Sequence, residues 1–377
     1  MRRFMVTMKV GNDIYYVGVN DHQVDLFEGQ YDVPNGMSYN SYVIMDEKIA
    51  VMDTVDAHFA EEWLGNVAKV LNGAKPDYLV VQHMEPDHSA SIPAFLKKYT
   101  KVTVVSTAKG FQFMEQFFPE FFAGQGLPAE QRIVAANDGV LELGQHSLHF
   151  VYAPMVHWPE VMMTYEATEK ILFAADGFGK FGALDAEEEW ADEARRYYIG
   201  IVGKYGPQVQ AVLKKAAGLD IQTICSLHGP VLKENLGFYL EKYDRWSSYQ
   251  PEESGVVIAY ASVYGNTRNA AEYLADVLHE KGQKTVLYDL SRCDKAKAVA
   301  DAFRYDRLVL AGITYNGDLF PCMRSFIEGL TERNYQNRKV AIIENGTWAP
   351  MAGKLILGMF EKSKNLTFTE TTVSIKS

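Results

Sequence analysis

Cysteine is scarce: the 377 residues hold three, Cys225, Cys293 and Cys322, with no CxxC pair among them. A disulfide framework, a rubredoxin-type iron site and an iron–sulfur cluster therefore cannot be built within the chain, and this usage suits a reducing cytoplasm. Long apolar runs are missing as well. No stretch of about 18 apolar residues occurs, and the N-terminal MRRFMVTMKVGNDIYYV lacks the uninterrupted apolar core of a signal peptide, so neither a membrane span nor export is expected. Basic charge is in the minority: 37 Lys and Arg against 48 Asp and Glu leave a net charge of −11, which repels a nucleic-acid backbone and an anionic membrane. What is present is an ordinary globular composition, 47% hydrophobic and 23% charged, at a length that predicts two domains.

The first part of the chain alternates short β-branched runs with polar turns and helical patterns. YVIM (42–45) and IAVM (49–52) flank Asp46-Glu47-Lys48 and read as an antiparallel hairpin, which argues against a doubly wound parallel sheet here. YLVV (78–81), VTVV (102–105), LHFVY (148–152), ILFAA (171–175) and TICS (223–226) continue the strand series. The polar stretch YQPEESG (249–255) marks the boundary, giving domains 1–250 and 251–377. Beyond it, strand and helix alternate strictly through VVIAY, TVLYDL, RLVLAG and VAIIE, the pattern of a parallel sheet of flavodoxin size.

HMEPDH (83–88) follows the strand YLVV and places His83, Glu85, Asp87 and His88 on a loop at a strand's carboxyl end. Three further candidates lie just past strand-like runs: His157 in APMVHWPE, Asp176 in ILFAADGFG and His228 in TICSLHGP. Strand ends gather at one edge of a sheet. Imidazoles and carboxylates converging there suit a pair of divalent metals, because carboxylates can bridge and offset the charge of both ions. His58, His146, His149 and His279 stand outside this pattern and read as structural or solvent-facing.

These segments resemble the ligand segments of the flavodiiron proteins, or A-type flavoproteins, and the resemblance spans essentially the whole chain. Hydrolytic relatives with the metallo-β-lactamase fold show HxHxDH where this chain has HMEPDH. Glu85 thus stands in place of a histidine, and a carboxylate there favours iron over zinc. The resemblance implies an α/β fold, a metallo-β-lactamase-like αββα sandwich followed by a flavodoxin-like doubly wound sheet. It also implies one iron on His83, Glu85 and His157, the other on Asp87 and His228, and Asp176 as the bridge. His88 matches a position that is often not a ligand, and His22 and Tyr198 match segments that approach the substrate pocket.

In the second part, VVIAY runs into ASVYGNTRNAA, a Ser-x-x-Gly-x-Thr turn entering a helix. The hydroxyls of Ser262 and Thr267 and the backbone across Val263, Tyr264, Gly265 and Asn266 can cradle a phosphate at the helix N-terminus. Without a Walker lysine, a nucleoside triphosphate is not expected. Two more loops follow parallel strands: Thr314, Tyr315, Asn316 and Gly317, then Asn345, Gly346, Thr347 and Trp348. Tyr315 and Trp348 can flank an isoalloxazine ring, and the neighbouring amides can bond its polar edge. FMN is the ligand expected, and the family resemblance places it here too.

Fused, the two sites suggest reduction of an oxidant at metals fed by flavin. A reduced flavin holds two electrons and a ferrous pair two more, matching the four that take dioxygen to two waters. Nitric oxide, going to nitrous oxide, is the rival oxidant. The other readings are a dizinc hydrolase joined to a flavodoxin-like carrier, and a pure electron carrier. The resemblance further implies a head-to-tail homodimer, or a dimer of dimers, and an external donor such as rubredoxin, a reductase or a reduced deazaflavin.

Overall fold

The expected hairpin forms. Tyr42–Ile44 and Ala50–Met52 pair antiparallel, with Tyr42 opposite Met52, Val43 opposite Val51 and Ile44 opposite Ala50. This is a computed structural model, and it describes residues 8–124 and 126–376. Every residue of both strands is buried, as expected where a sheet is covered on both faces. The hairpin sits inside a six-stranded sheet in the order 14–16, 42–44, 50–52, 78–80, 103–106, 132–134, antiparallel at first and parallel from 50–52 onward. A five-stranded sheet, in the order 140–142, 147–152, 162–166, 171–173, 223–225, is antiparallel except for its last pair.

The two sheets share one core. Ile14, Tyr42, Ile44, Met52, Val80 and Val105 of the first pack in one cluster with Leu148, Phe150, Met162, Ile171 and Phe173 of the second. Each aliphatic or phenyl group so buried stabilises the sandwich by about 1.5–3 kcal/mol. The helix Ala60–Leu71 buries Trp63, Val67 and Leu71, and Asn72 ends it in a left-handed conformation at φ 44°. Helix Ala108–Phe117 starts on a Thr107 side-chain cap that accepts from Gly110 N–H.

The second compact unit comprises Arg195–Pro207 and Glu241–Ser377; the first comprises the residues up to Ala194 together with Gln208–Leu240. In the second, the strands run 285–289, 253–260, 305–315, 338–345, 366–368, all parallel. Numbered along the chain this is the order 2-1-3-4-5, the doubly wound arrangement whose switch point lies between its first and third strands. Val256, Ile258 and Tyr260 pack with Ala271, Val309 and Ile343 at its core.

Candidate metal centre and flavin crevice

The cluster stands at the carboxyl ends of the sandwich strands, and each member arrives a few residues past one. His83 and Glu85 follow Tyr78–Val80 directly. Asp87 and His88 stand on a single helical turn, Pro86–Ser89, and not on open loop, because Pro86 takes the first helical position and starts it. His157 follows the strand Ser147–Tyr152, Asp176 follows Ile171–Phe173, and His228 follows Thr223–Cys225.

Two groups result, His83 with Glu85, His157 and Asp176, and Asp87 with His88 and His228. In the first, His157 Nε2 lies 2.9 Å from Glu85 Oε2 and 3.0 Å from Asp176 Oδ2. His83 Nε2 lies 3.2 Å from Glu85 Oε2 and 3.4 Å from Asp176 Oδ2. In the second, His88 Nε2 and His228 Nε2 are 3.0 Å apart, and Asp87 Oδ2 is 3.3 and 3.2 Å from them. Asp176 connects the groups: its other oxygen, Oδ1, is 3.6 Å from His88 Nε2 and 4.0 Å from His228 Nε2.

The ring nitrogens turned away from the cluster fix the tautomers. His83 Nδ1–H donates to Glu160 Oε1 at 2.8 Å, and His228 Nδ1–H donates to the Ser38 carbonyl at 2.7 Å, so both rings turn Nε2 to the centre. Glu160 also accepts from Met84 N–H at 2.9 Å. Asp53 carries the adjoining backbone, taking Gln82 N–H at 2.7 Å and the Gln82 side-chain amide at 2.8 Å.

Charge in the cluster is unbalanced without a cation. Burial disfavours the imidazolium of His157, yet hydrogen bonds to Asp176 and Glu85 overcome it and raise the group to about 9. Burial likewise opposes the charge on Asp176, and the surrounding His83, His157 and His88 rings still hold its carboxyl well below the usual range. His88, where burial is not overcome, falls to about 4. Both oxygens of Asp87, Oδ1 of Asp176 and Nδ1 of His88 are buried without a hydrogen-bond partner. Buried carboxylates crowded against imidazole Nε2 atoms are what a metal pair would satisfy, and three carboxylates suit two hard or borderline dications. The residues fit the group.

His22 and Tyr198 are not members of either ligand group. His22 is exposed, and its Nε2 pairs with Asp185 at 3.3 Å. Tyr198 is fully buried in the second unit, its ring 5.0 Å from Tyr243 and 5.4 Å from Trp246, because the helix Trp190–Tyr197 runs on and turns it into an aromatic core. The geometry thus gives neither residue a place among the ligands. His58 is exposed and bonded to Asp56, while His146 is buried against Glu166 at 3.0 Å. Conversely, Glu160, Asp53, Ser38 and Tyr39 were not singled out in the sequence. Of these only Glu160 carried a signal, three residues after His157. Glu28, on the turn between Leu26–Phe27 and Tyr31–Asp32, is an exposed residue, yet partial desolvation of its carboxyl and the nearby charge of Glu85 push it up to about 7.

In the second unit, three loops meet at the carboxyl ends of parallel strands. Ser262 Oγ accepts from Gly265 N–H at 3.2 Å, and Gly265, at φ 94°, occupies the left-handed conformation that turns the chain into helix Asn266–Glu280. Thr267 is buried, and its hydroxyl oxygen accepts from the Asn345 amide at 3.2 Å, tying the first loop to the third. Thr314 Oγ1 accepts from Met351 N–H at 2.8 Å and Ala352 N–H at 3.1 Å, tying the second to the third. Tyr264, Tyr315 and Trp348 are left exposed. Backbone N–H groups at a helix N-terminus with flanking aromatics fit a flavin mononucleotide.

Residues 37–229 match the ODP family of beta lactamases, and residues 257–356 match a flavodoxin domain. The anaerobic nitric oxide reductase flavorubredoxin of Vibrio vulnificus is 28% identical over 357 residues, covering 91% of this chain and 70% of that one. The solved rubredoxin oxygen:oxidoreductase of Desulfovibrio gigas superposes with a TM-score of 0.90 at 26% identity, over 99% of this chain and 93% of that one. The flavodiiron protein of Giardia intestinalis does so at 0.87 and 27%, over 98% and 93%. With a family match over more than half its length and these structural likenesses, the chain belongs to the ODP beta-lactamase family and, within it, to the flavodiiron proteins.

Proposed function

We propose that this chain reduces dioxygen to water, nitric oxide to nitrous oxide, or both, with two irons held by the sandwich and FMN held by the flavodoxin-like part. The observation that carries the proposal is Asp176, whose two oxygens face two separate sets of imidazole nitrogens. His83, Glu85 and His157 would hold one iron and Asp87, His88 and His228 the other, with the Asp176 carboxylate placed between the two groups. Ser262 to Thr267 hold the phosphate of FMN, and Thr314 to Gly317 with Asn345 to Trp348 enclose its ring. The domains divide at 250/251.

Bound iron supplies open positions for the oxidant and bound FMN supplies electron pairs. The chain's own part is to orient and to exclude water. Glu160 and the Ser38 carbonyl keep His83 and His228 in the tautomer that points Nε2 inward. Phe27 packs its ring edge on His228, centroids 5.5 Å apart, and Tyr39 covers His88 and His228, so the second group is roofed by apolar rings. A hydrolase would use the same fold, but the Glu85 carboxylate and the flavin crevice favour redox work.

The chain has no cysteine site to receive electrons, so an external donor such as rubredoxin, a reductase or a reduced deazaflavin supplies them. The working unit is a head-to-tail homodimer in the cytoplasm. No helix among the described residues is long and apolar enough to cross a membrane. The test is hydrogen peroxide formed per dioxygen consumed by the fully reduced protein. Little or no peroxide supports the proposal; peroxide equal to the dioxygen consumed means flavin alone reacted with dioxygen, and together with no nitrous oxide formed from nitric oxide it refutes the proposal. A fully active monomer on size-exclusion chromatography would refute the dimer.

A further inference from the structure

Aromatic rings touch the imidazoles of the metal centre. Phe27 and Tyr39 lie against the second group, and Trp158 lies against the first. Trp158 meets His83 edge to face with centroids 5.3 Å apart, and its ring lies 6.3 Å from that of His157. Tyr39 meets His228 at 6.0 Å and His88 at 6.4 Å. Phenylalanine is too hard to oxidise to matter, whereas phenol and indole are the two side-chain rings that give up an electron most readily. Each ligand group therefore has an oxidisable ring in contact with it.

The surroundings of Tyr39 suit such a loss. The ring is buried, and its hydroxyl donates to Asp21 Oδ2 at 3.3 Å. Asp21 is held in place because its other oxygen accepts from Gln23 N–H at 2.7 Å and Val24 N–H at 3.1 Å. A phenol hydrogen-bonded to a fixed carboxylate can hand over its proton as its electron leaves, so no charge is stranded in the core. Trp158 is half-buried, so its indole proton can pass to solvent. Tyr39 is also coupled to a ligand through the chain, since the carbonyl of the preceding Ser38 takes the Nδ1–H of His228.

We propose that Tyr39 and Trp158 are reserve electron donors to dioxygen, used when the flavin is oxidised; the proposal rests on the diiron reading above. Dioxygen takes four electrons to become two waters. A ferrous pair gives two, and with the flavin spent the reduction would stop at peroxide. Tyr39 gives a third and Trp158 a fourth. The O–H bond of Tyr39 and the N–H bond of Trp158 break, leaving two neutral radicals. The Tyr39 proton goes to Asp21 and the Trp158 proton to solvent, four protons are drawn from solvent, the O–O bond breaks and four O–H bonds form. The radicals are quenched when the external donor next reduces the chain.

The experiment uses the full chain with iron and FMN, half-reduced under argon, mixed with dioxygen and freeze-quenched for electron paramagnetic resonance. Ring-deuterated tyrosine and indole-deuterated tryptophan, incorporated biosynthetically, separate protein radicals from a flavin radical without any substitution. We expect an organic radical signal that narrows with each label in the half-reduced protein and is absent from the fully reduced one. Tyr39→Phe should lose the tyrosine component, and Tyr39→Phe with Trp158→Phe should release close to one peroxide per dioxygen where the parent releases little. Asp21→Asn, which keeps the shape but not the proton acceptor, should diminish the tyrosine component alone. If the fully reduced protein makes water but the half-reduced one shows no label-sensitive radical, this inference falls and the diiron reading stands. If the fully reduced protein yields one peroxide per dioxygen, this inference falls, and with no nitrous oxide formed from nitric oxide the diiron reading falls too.

Discussion

Glu160 offers a way to ask how much of the metal centre is built by a residue that does not touch metal. Its carboxylate is 1% exposed, and it accepts from His83 Nδ1 at 2.8 Å and Met84 N–H at 2.9 Å. Glu160→Ala strands both donors in a buried place. A hydrogen bond to a charged group contributes about 1.5–3 kcal/mol, and the loss falls on the metal-bound state because only there must His83 hold one tautomer. At about 1.4 kcal/mol per tenfold, this is a loss of roughly 10- to 100-fold in iron affinity. Glu160→Gln separates geometry from charge. Glu160 Oε2 has no partner, so a glutamine can seat its NH2 there and keep accepting from His83 through its carbonyl oxygen; its loss should be the smaller of the two. The assay is chelator competition followed by metal analysis of the dialysed protein, with FMN absorbance as the internal control. Iron affinities of both variants equal to the parent's would refute the argument that His83 is oriented from behind.

Other outcomes follow from the same geometry. His157→Ala should reduce dioxygen consumption to the level of flavin alone while FMN remains bound, checked by oxygen electrode and flavin spectrum; loss of flavin would refute the independence of the two sites. Thr267→Val removes the hydroxyl that accepts from Asn345, and should weaken FMN retention on gel filtration with iron content unchanged. In the metal-free chain His157 is raised to about 9 from about 6.5 in a free histidine. Its stabilising contribution is therefore complete below about pH 6.5 and lost as pH rises through 9. Iron must displace the same proton, so its affinity should fall by up to about tenfold per pH unit below 9 on account of this group. A flat affinity between pH 6.5 and 9, measured by chelator competition, would contradict the assignment.

Local signals were legible in the sequence. HMEPDH carries its ligands within six residues of one strand end, and the alternation after Gly255 dictated a parallel sheet through local periodicity alone. Glu160 and Asp53 were harder, because a buried carboxylate is recognised by the backbone N–H it meets, and those partners lie 76 and 29 residues away. Tyr39 sits in a short buried strand whose pattern says only that it is covered. At Tyr198 a motif match suggested a role near the substrate pocket, while the run of helix through Trp190–Tyr197 and the rings of Tyr243 and Trp246 set the immediate surroundings of the side chain. Nothing within the RRYY stretch encodes that rotation.

Each ligand group draws on both sheets of the sandwich. His83 and Glu85 come from the six-stranded sheet and His157 and Asp176 from the five-stranded one; Asp87 and His88 come from the first and His228 from the second. A metal in either group is therefore a rivet across the seam, fastening segments as far apart in sequence as residues 88 and 228. Such a rivet is absent from the unfolded chain, so affinity for the ion is also resistance to the sandwich coming apart. Iron starvation would then be felt twice, as lost turnover and as a sandwich that opens at its catalytic edge, while the flavodoxin-like sheet, which holds no part of the rivet, keeps its own stability.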